Sequence, residues 1–245
     1  MGKVKIKKKE TRIDMTAMSD VTVLLLTFFM LTSTFLQKEP ITVITPPSVS
    51  EEKVPDQNLM SVLVSPEGKV FMAVTGSKDS TFKSEHVRAD LLKKMTAEYN
   101  KAHPSAPVNF TNKEVETFSK MAAFGVPFKY MQPWLQLAAK DMTLADKVLE
   151  GEEPFSVNGQ KVKLAGIPID MNEDPNKPNE FQMWIRAAYN SDNEELKNAM
   201  VKGKGISIKA DQTTPYSVVN VVMDNLQTMK MNKFTLMTAL KAEEE

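Results

Sequence analysis

Residues 15–36, Met-Thr-Ala-Met-Ser-Asp-Val-Thr-Val-Leu-Leu-Leu-Thr-Phe-Phe-Met-Leu-Thr-Ser-Thr-Phe-Leu, contain a single ionisable side chain, Asp20. A helix rising about 1.5 Å per residue needs roughly 20 mostly apolar residues to cross about 30 Å of hydrocarbon, so this stretch predicts one transmembrane helix. A carboxylate within such a span costs about 2.5–3.5 kcal/mol on insertion scales and normally faces protein or water with a task to perform. Asp20 is therefore the candidate proton-handling or ion-handling residue, placed about 8 Å into the span. Helical spacing puts Thr16, Thr27 and Thr34 on its face, while Val21, Leu25, Phe28, Phe29 and Phe35 cover much of the rest. A stripe of hydroxyls with one carboxylate suits a hydrated seam against other membrane helices. The simpler alternative is that the threonines bond their own helix carbonyls and Asp20 reaches water at the near surface.

The chain's formal net charge is zero, but residues 1–14 hold Lys3, Lys5, Lys7, Lys8, Lys9 and Arg12 against Glu10 and Asp14. Lysine and arginine flanking a span stay cytoplasmic, which predicts a cytoplasmic basic N-terminus (1–14) and an external C-terminal part. A cleaved signal peptide would have a shorter apolar core and a small-residue cleavage site; the exit Thr34-Phe35-Leu36-Gln37-Lys38-Glu39 has neither, so the span reads as an uncleaved anchor. The lysines are explained by their place beside the span, and no nucleic-acid partner is expected. With no cysteine in the chain, disulfides and thiolate metal or redox sites are excluded.

Residues 37–57, with Pro40, Pro46, Pro47 and Pro55, predict an extended linker. Within it Ile41-Thr42-Val43-Ile44 alternates and is β-branched, so it reads either as a strand added to a sheet edge or partner, or as plain linker. The runs 59–64 and 70–74, joined by Ser65-Pro66-Glu67-Gly68, predict a β-hairpin on a type I turn. Val87, Leu91, Met95 and Tyr99 then mark an amphipathic helix over 84–100 packed on that hairpin, with Arg88, Lys93, Lys94 and Glu98 elsewhere.

Residues 102–179 read as a folded insertion. A capping box at Thr111 to Glu114 opens a short helix ending near Gly125, Pro133 opens a second through Trp134, Leu135 and Ala138, and Leu144 and Val148 fit a third ending before Gly151. Asn158-Gly159 centres a small hairpin over 155–162. Asp170-Met171-Asn172-Glu173-Asp174 resembles the start of a calcium loop but lacks the glycine and glutamate that such a loop needs, so a solvated turn is the preferred reading and no metal is expected. His86 and His103 form no ligand pair. In the C-terminal part, 205–210 is a strand, Thr214 caps a helix beginning at Pro215 with Val218, Val222, Leu226 and Met229 on one face, and 233–236 is a second strand. The fold class that follows is an α+β periplasmic domain (58–245), a small mixed sheet with helices on one face, preceded by a single N-terminal transmembrane helix.

With these parts in place the chain resembles the ExbD/TolR family of biopolymer-transport proteins. The resemblance is carried by Asp14-Met15-Thr16-Ala17-Met18-Ser19-Asp20-Val21 and Leu24-Leu25-Leu26-Thr27-Phe28-Phe29-Met30, and at the other end by 206–211, Tyr216 and Asn232-Lys233-Phe234. Glu180 to Arg186, with Trp184, resembles the form of the domain found in Bacteroidota. The resemblance implies that Asp20 is the proton carrier of an inner-membrane motor. It implies further that two copies sit inside an ExbB-like pentameric channel and that proton flow acts on a TonB-like energy transducer. Ile41, Val43 and Pro46, in a stretch similar to the family's Leu-x-Val-x-Leu-Pro, are then the expected partner-binding residues, although Thr45 replaces an aliphatic residue there.

Three other roles compete: a TolR-like subunit of the Tol system, a membrane-tethered binding or structural protein, and a flagellar-type stator, which the small C-terminal unit disfavours. No enzyme is expected, because the external part shows no nucleophile elbow, no phosphate-cradling glycine loop and no histidine-based metal set, and no cofactor is implied.

Overall fold

The computed structural model describes residues 15–32, 43–48, 54–78, 82–157, 159–164 and 166–240. The chain divides into two compact units, Met1–Gln37 and Lys38–Glu245. The first contains one helix, α1 (Met15–Thr32), with no glycine or proline to interrupt it. Of the predicted span, residues 33–36 lie outside the described residues.

In the second unit the elements follow in the order β1 (Pro47–Ser48), β2 (Leu59–Val64), β3 (Val70–Thr75), α2 (Ser84–Ala102), α3 (Asn112–Lys120), β4 (Ala123–Phe124), α4 (Phe128–Ala138), α5 (Met142–Glu150), β5 (Phe155–Val157), β6 (Gln160–Val162), α6 (Glu180–Tyr189), α7 (Glu194–Lys202), β7 (Ile206–Ala210), α8 (Tyr216–Thr228), β8 (Thr235–Leu236) and β9 (Ala239–Leu240). Local chemistry sets many of the boundaries. The β2–β3 turn closes as its residues require: the Ser65 carbonyl accepts from the Gly68 N–H at 2.9 Å, and Gly68 takes φ +77. Thr111 with Glu114 and Asn179 with Gln182 form reciprocal capping boxes at α3 and α6. Asp141 and Asn193 cap α5 and α7, which end on the left-handed glycines Gly151 and Gly203.

One five-stranded mixed sheet, in the order β4-β3-β2-β7-β8, organises the unit. β2 is antiparallel to β3 and parallel to β7, and β7 with α8 and β8 completes a parallel βαβ unit. The register places Met60 beside Val74 and Ile206, and Val62 beside Met72 and Ile208. These six side chains share one face and are at most 1% exposed, within a single apolar core that the helices complete. The opposite face carries the Ser207–Ser61 hydroxyl pair at 2.9 Å, and also the buried Leu63 and Phe71. Gly125 lies against Phe71 so closely that a Cβ would stand 2.0 Å from Cδ1 of the ring, so this position accepts no side chain without displacing it.

The stretch 102–179 is built into that core. β4 pairs with β3, and the fully buried Trp184 of α6 is ringed by Phe118, Phe124 and Phe128 at centroid distances of 6.0, 4.5 and 5.9 Å. Several local expectations are corrected here. The helix opened by Thr111 stops at Lys120, because residues 123–124 join the sheet. α4 begins at Phe128, five residues before Pro133; the proline sits inside the helix, where its missing N–H leaves the carbonyl four residues back without a helical donor. Thr214 does not cap α8: its hydroxyl donates to the Ser65 carbonyl at 3.0 Å and Pro215 takes the cap position. Arg88 faces inward and is 5% exposed, with Nε donating to Val74 O at 2.8 Å and Nη1 to Ser119 O at 3.2 Å. Burial lowers its pKa against the opposing pull of Glu85.

Two polar features carry measurable consequences. The carboxylate of Glu180, first residue of α6, accepts the Phe128 N–H at the start of α4 at 2.7 Å. Burial pushes its pKa up to about 7, against the Phe128 N–H and Lys129, which lower it. A carboxyl raised in the folded state adds stability that is complete below its unfolded pKa of about 4.3 and disappears as pH rises through 7. The thermal midpoint of the protein should therefore fall from pH 5 to pH 8, by the equivalent of up to about 3 kcal/mol. Calorimetry on Glu180→Gln, which keeps the acceptor, should show a flatter profile.

The second feature is the end of α8. Lys230 N–H bonds Gln227 O at 2.8 Å and Met231 N–H bonds Leu226 O at 2.9 Å, while Lys230 takes φ +62. This is a Schellman termination with lysine at the position glycine usually fills, at a cost of about 1–2 kcal/mol.

Candidate functional site

In α1, Asp20 is the only ionisable residue, and the helix offers no cation to pair with it. At about 100° per residue, Thr16, Asp20 and Thr27 fall within about 40° of arc, so the structure keeps these three predicted residues on one face. Thr34 lies outside the described residues. The Thr27 hydroxyl donates to Leu24 O at 2.9 Å, so its hydrogen-bonding need is met within its own helix. Off this face, Thr22 and Thr32 bond the carbonyls of Met18 and Phe28. None of the helix is buried, and Leu24, Phe28, Phe29 and Leu31 are 60–87% exposed. Its 18 residues have a mean hydropathy of 1.6, long and apolar enough to cross a bilayer. The arrangement is thus a single carboxylate side chain, with threonines on its face, on an otherwise apolar helix surface.

The second candidate region is the segment after the span. Ile41 lies outside the described residues. Val43 is 8% exposed and belongs to the core of its own domain, whereas Ile44 (60% exposed) and Pro46 face outward. Of the stretch 41–44, read from sequence as strand or linker, the described residues 43–44 are not in a strand; Pro47 and Ser48 pair in parallel with Ala239 and Leu240 of β9. A residue with no role assigned from sequence fixes the segment. The Asp211 carboxylate accepts the Ile44 N–H at 2.8 Å, the Thr213 hydroxyl at 2.6 Å and the Thr213 N–H at 2.9 Å, while Gln212 N–H returns a bond to Ile44 O at 2.8 Å. The Thr213 hydroxyl, the Thr213 N–H and the Ile44 N–H together hold its pKa below the usual carboxylate range. Its contribution is thus complete above about pH 3.9 and is lost as pH falls through the lowered value. Asp211→Ala should free the Ile44 amide, seen as faster hydrogen exchange there at neutral pH with the β2–β3 amides unchanged.

The carboxylates of Asp170 and Asp174 serve the local chain. Asp170 accepts from Asn179 Nδ2 at 2.6 Å and Asp174 from Asn176 N–H at 2.9 Å. Among the described residues no three His, Cys, Asp or Glu side chains cluster as a metal set.

Compared with known proteins, residues 7–118 match the family model described as "Biopolymer transport protein ExbD/TolR". The match takes in Asp20, the 43–48 segment, the hairpin, α2 and most of α3; residues 180–240, which carried part of the resemblance in sequence, lie beyond it. No curated protein and no solved structure matches the chain.

Proposed function

We propose that this chain, which belongs to the ExbD/TolR family through residues 7–118, is the proton-carrying subunit of an inner-membrane motor energising TonB-dependent transport across the outer membrane. The family itself gives the broader statement: a biopolymer-transport component working with ExbB- or TolQ-type and TonB-like proteins. One observation carries the finer reading, a lone carboxylate on an apolar helix with no cation of its own. Such a group is neutral only when it holds a proton. Passing between a hydrated and a dry environment then couples protonation to movement, with about 2.3 kcal/mol available per elementary charge for each 100 mV of membrane potential. In this reading the basic N-terminus is cytoplasmic, the second unit is periplasmic, two copies stand inside an ExbB-like pentamer, and Thr16, Thr27 and Thr34 line the seam. No enzymatic step is involved.

The intrahelical bond of Thr27 favours a second reading, a tethered binding or structural protein, and the Tol branch is a third. Replacing residues 15–36 by an unrelated membrane span of equal length separates motor from tether. Transport should be lost if the span does the work and kept if it only anchors the domain.

A further inference from the structure

A cleft of about 530 Å³ in the second unit lies between α6, α7 and the turn from α8 to β8. Its apolar lining includes Met200, Met229, Met231 and Tyr189. Three cationic residues, Arg186, Lys230 and Lys233, share the lining, and no carboxylate does. Lys197 adds a fourth positive charge nearby, 5.4 Å from the Tyr189 ring centroid. Arg186 is partly committed to Glu98 at 3.6 Å and to Pro175 O at 2.7 Å. Among the described residues no ion pair engages Lys230 or Lys233.

Lys230 is also the residue held left-handed where glycine would be easier. Nothing in the Schellman termination calls for its side chain, so the fold carries this strain at a position that adds a cation to the cleft. Asn190 and Asn232 complete the lining, and side-chain amides both donate and accept, as an extended peptide backbone demands.

From these observations we infer that the cleft binds an extended acidic peptide segment of a partner protein, seating one large apolar side chain among the methionines with flanking carboxylates on Lys230 and Lys233. Methionine supplies an adaptable apolar floor, and the lysines supply the charge selection. This surface draws on no residue of α1 and does not depend on the motor reading.

The test uses the full-length chain in detergent and fluorescein-labelled hexapeptides read by fluorescence anisotropy. Glu-Glu-Leu-Phe-Glu-Glu should bind, more weakly as salt is raised. Glu-Glu-Ala-Ala-Glu-Glu and Lys-Lys-Leu-Phe-Lys-Lys should bind at least about tenfold more weakly. Lys230→Gly together with Lys233→Gln should weaken the acidic peptide by about tenfold or more. Lys230→Gly alone should weaken it while raising the thermal midpoint by a few degrees, about what relief of a left-handed lysine provides, so that lost binding is not lost folding. The inference is overturned if the acidic and basic peptides bind alike or the lysine variants bind as the parent does. It is equally overturned if octanoate binds at this cleft while the acidic peptide does not at about 1 mM, which would assign it to small amphiphilic anions.

Discussion

Cells whose only copy carries Asp20→Asn should take up a TonB-dependent iron chelate no faster than cells lacking the protein, while the variant reaches the membrane and co-purifies with its channel partner at normal levels. Asparagine keeps the size and polarity of the side chain and removes only the ability to bind and release a proton, so assembly and packing are controlled within the same experiment. Nothing else in α1 can take over, because the helix has no second ionisable residue. Asp20→Glu should retain part of the activity, since it preserves the titration and shifts the carboxyl by one methylene. Unchanged uptake with Asp20→Asn would remove the proton role and leave the tether. Loss confined to envelope integrity, with iron uptake normal, would move the protein to the Tol branch.

The next largest effect is expected at Trp184. Its side chain is 0% exposed and holds three phenylalanines of the 102–179 stretch against α6. Trp184→Ala should cost about 3–5 kcal/mol. That is a large share of the roughly 5–15 kcal/mol typical of a domain. The thermal midpoint followed by circular dichroism should fall by roughly 6–20 °C. Proteolysis should meanwhile begin within 102–179, as the aromatic cluster that joins this stretch to the sheet loosens. Trp184→Phe should be far milder, and not only because a ring remains. The indole N–H is buried and has no acceptor among the described residues, so removing it relieves a desolvation cost of about 1–3 kcal/mol that partly offsets the lost volume. Equal damage from both substitutions would show that refilling the volume does not rescue the site and that the indole itself is required.

These two positions differ in how they could be found. Asp20 announces itself, because a charge in an apolar run is improbable without a use. The hairpin at Ser65 to Gly68, the capping box at Thr111, and the β7–α8–β8 unit are equally legible, since each is written in residues close together in sequence. What the sequence conceals is non-local. The pairing of β2 with β7 joins residues about 146 positions apart. β4 is two residues long and shows no alternation to read. Arg88 looks like a solvent residue until Val74 O and Ser119 O, from two other elements, turn it inward. α7 could have been read: Asn193 before Glu194 and Glu195, with Gly203 after Lys202, are ordinary start and stop signals. Asp211 could not, because its partner Ile44 lies 167 residues away and only the folded chain brings the two together.

That last connection has a mechanical side. β1 is held by two residue pairs to β9, near the far end of the described chain, and Ile44 just before it by its bonds to Asp211 and Gln212. Tension applied through the N-terminal side would load these few bonds before any strand of the five-stranded sheet. Their rupture would free residues 43–48, about 20 Å at full extension, and draw Val43 out of the core, while residues 57 and 58 keep their bonds to Lys78, Gly76, Asn193 and Glu195. Load entering this domain from its N-terminal side is thus met first by a few bonds at its edge, and reaches the five-stranded sheet only after those have parted.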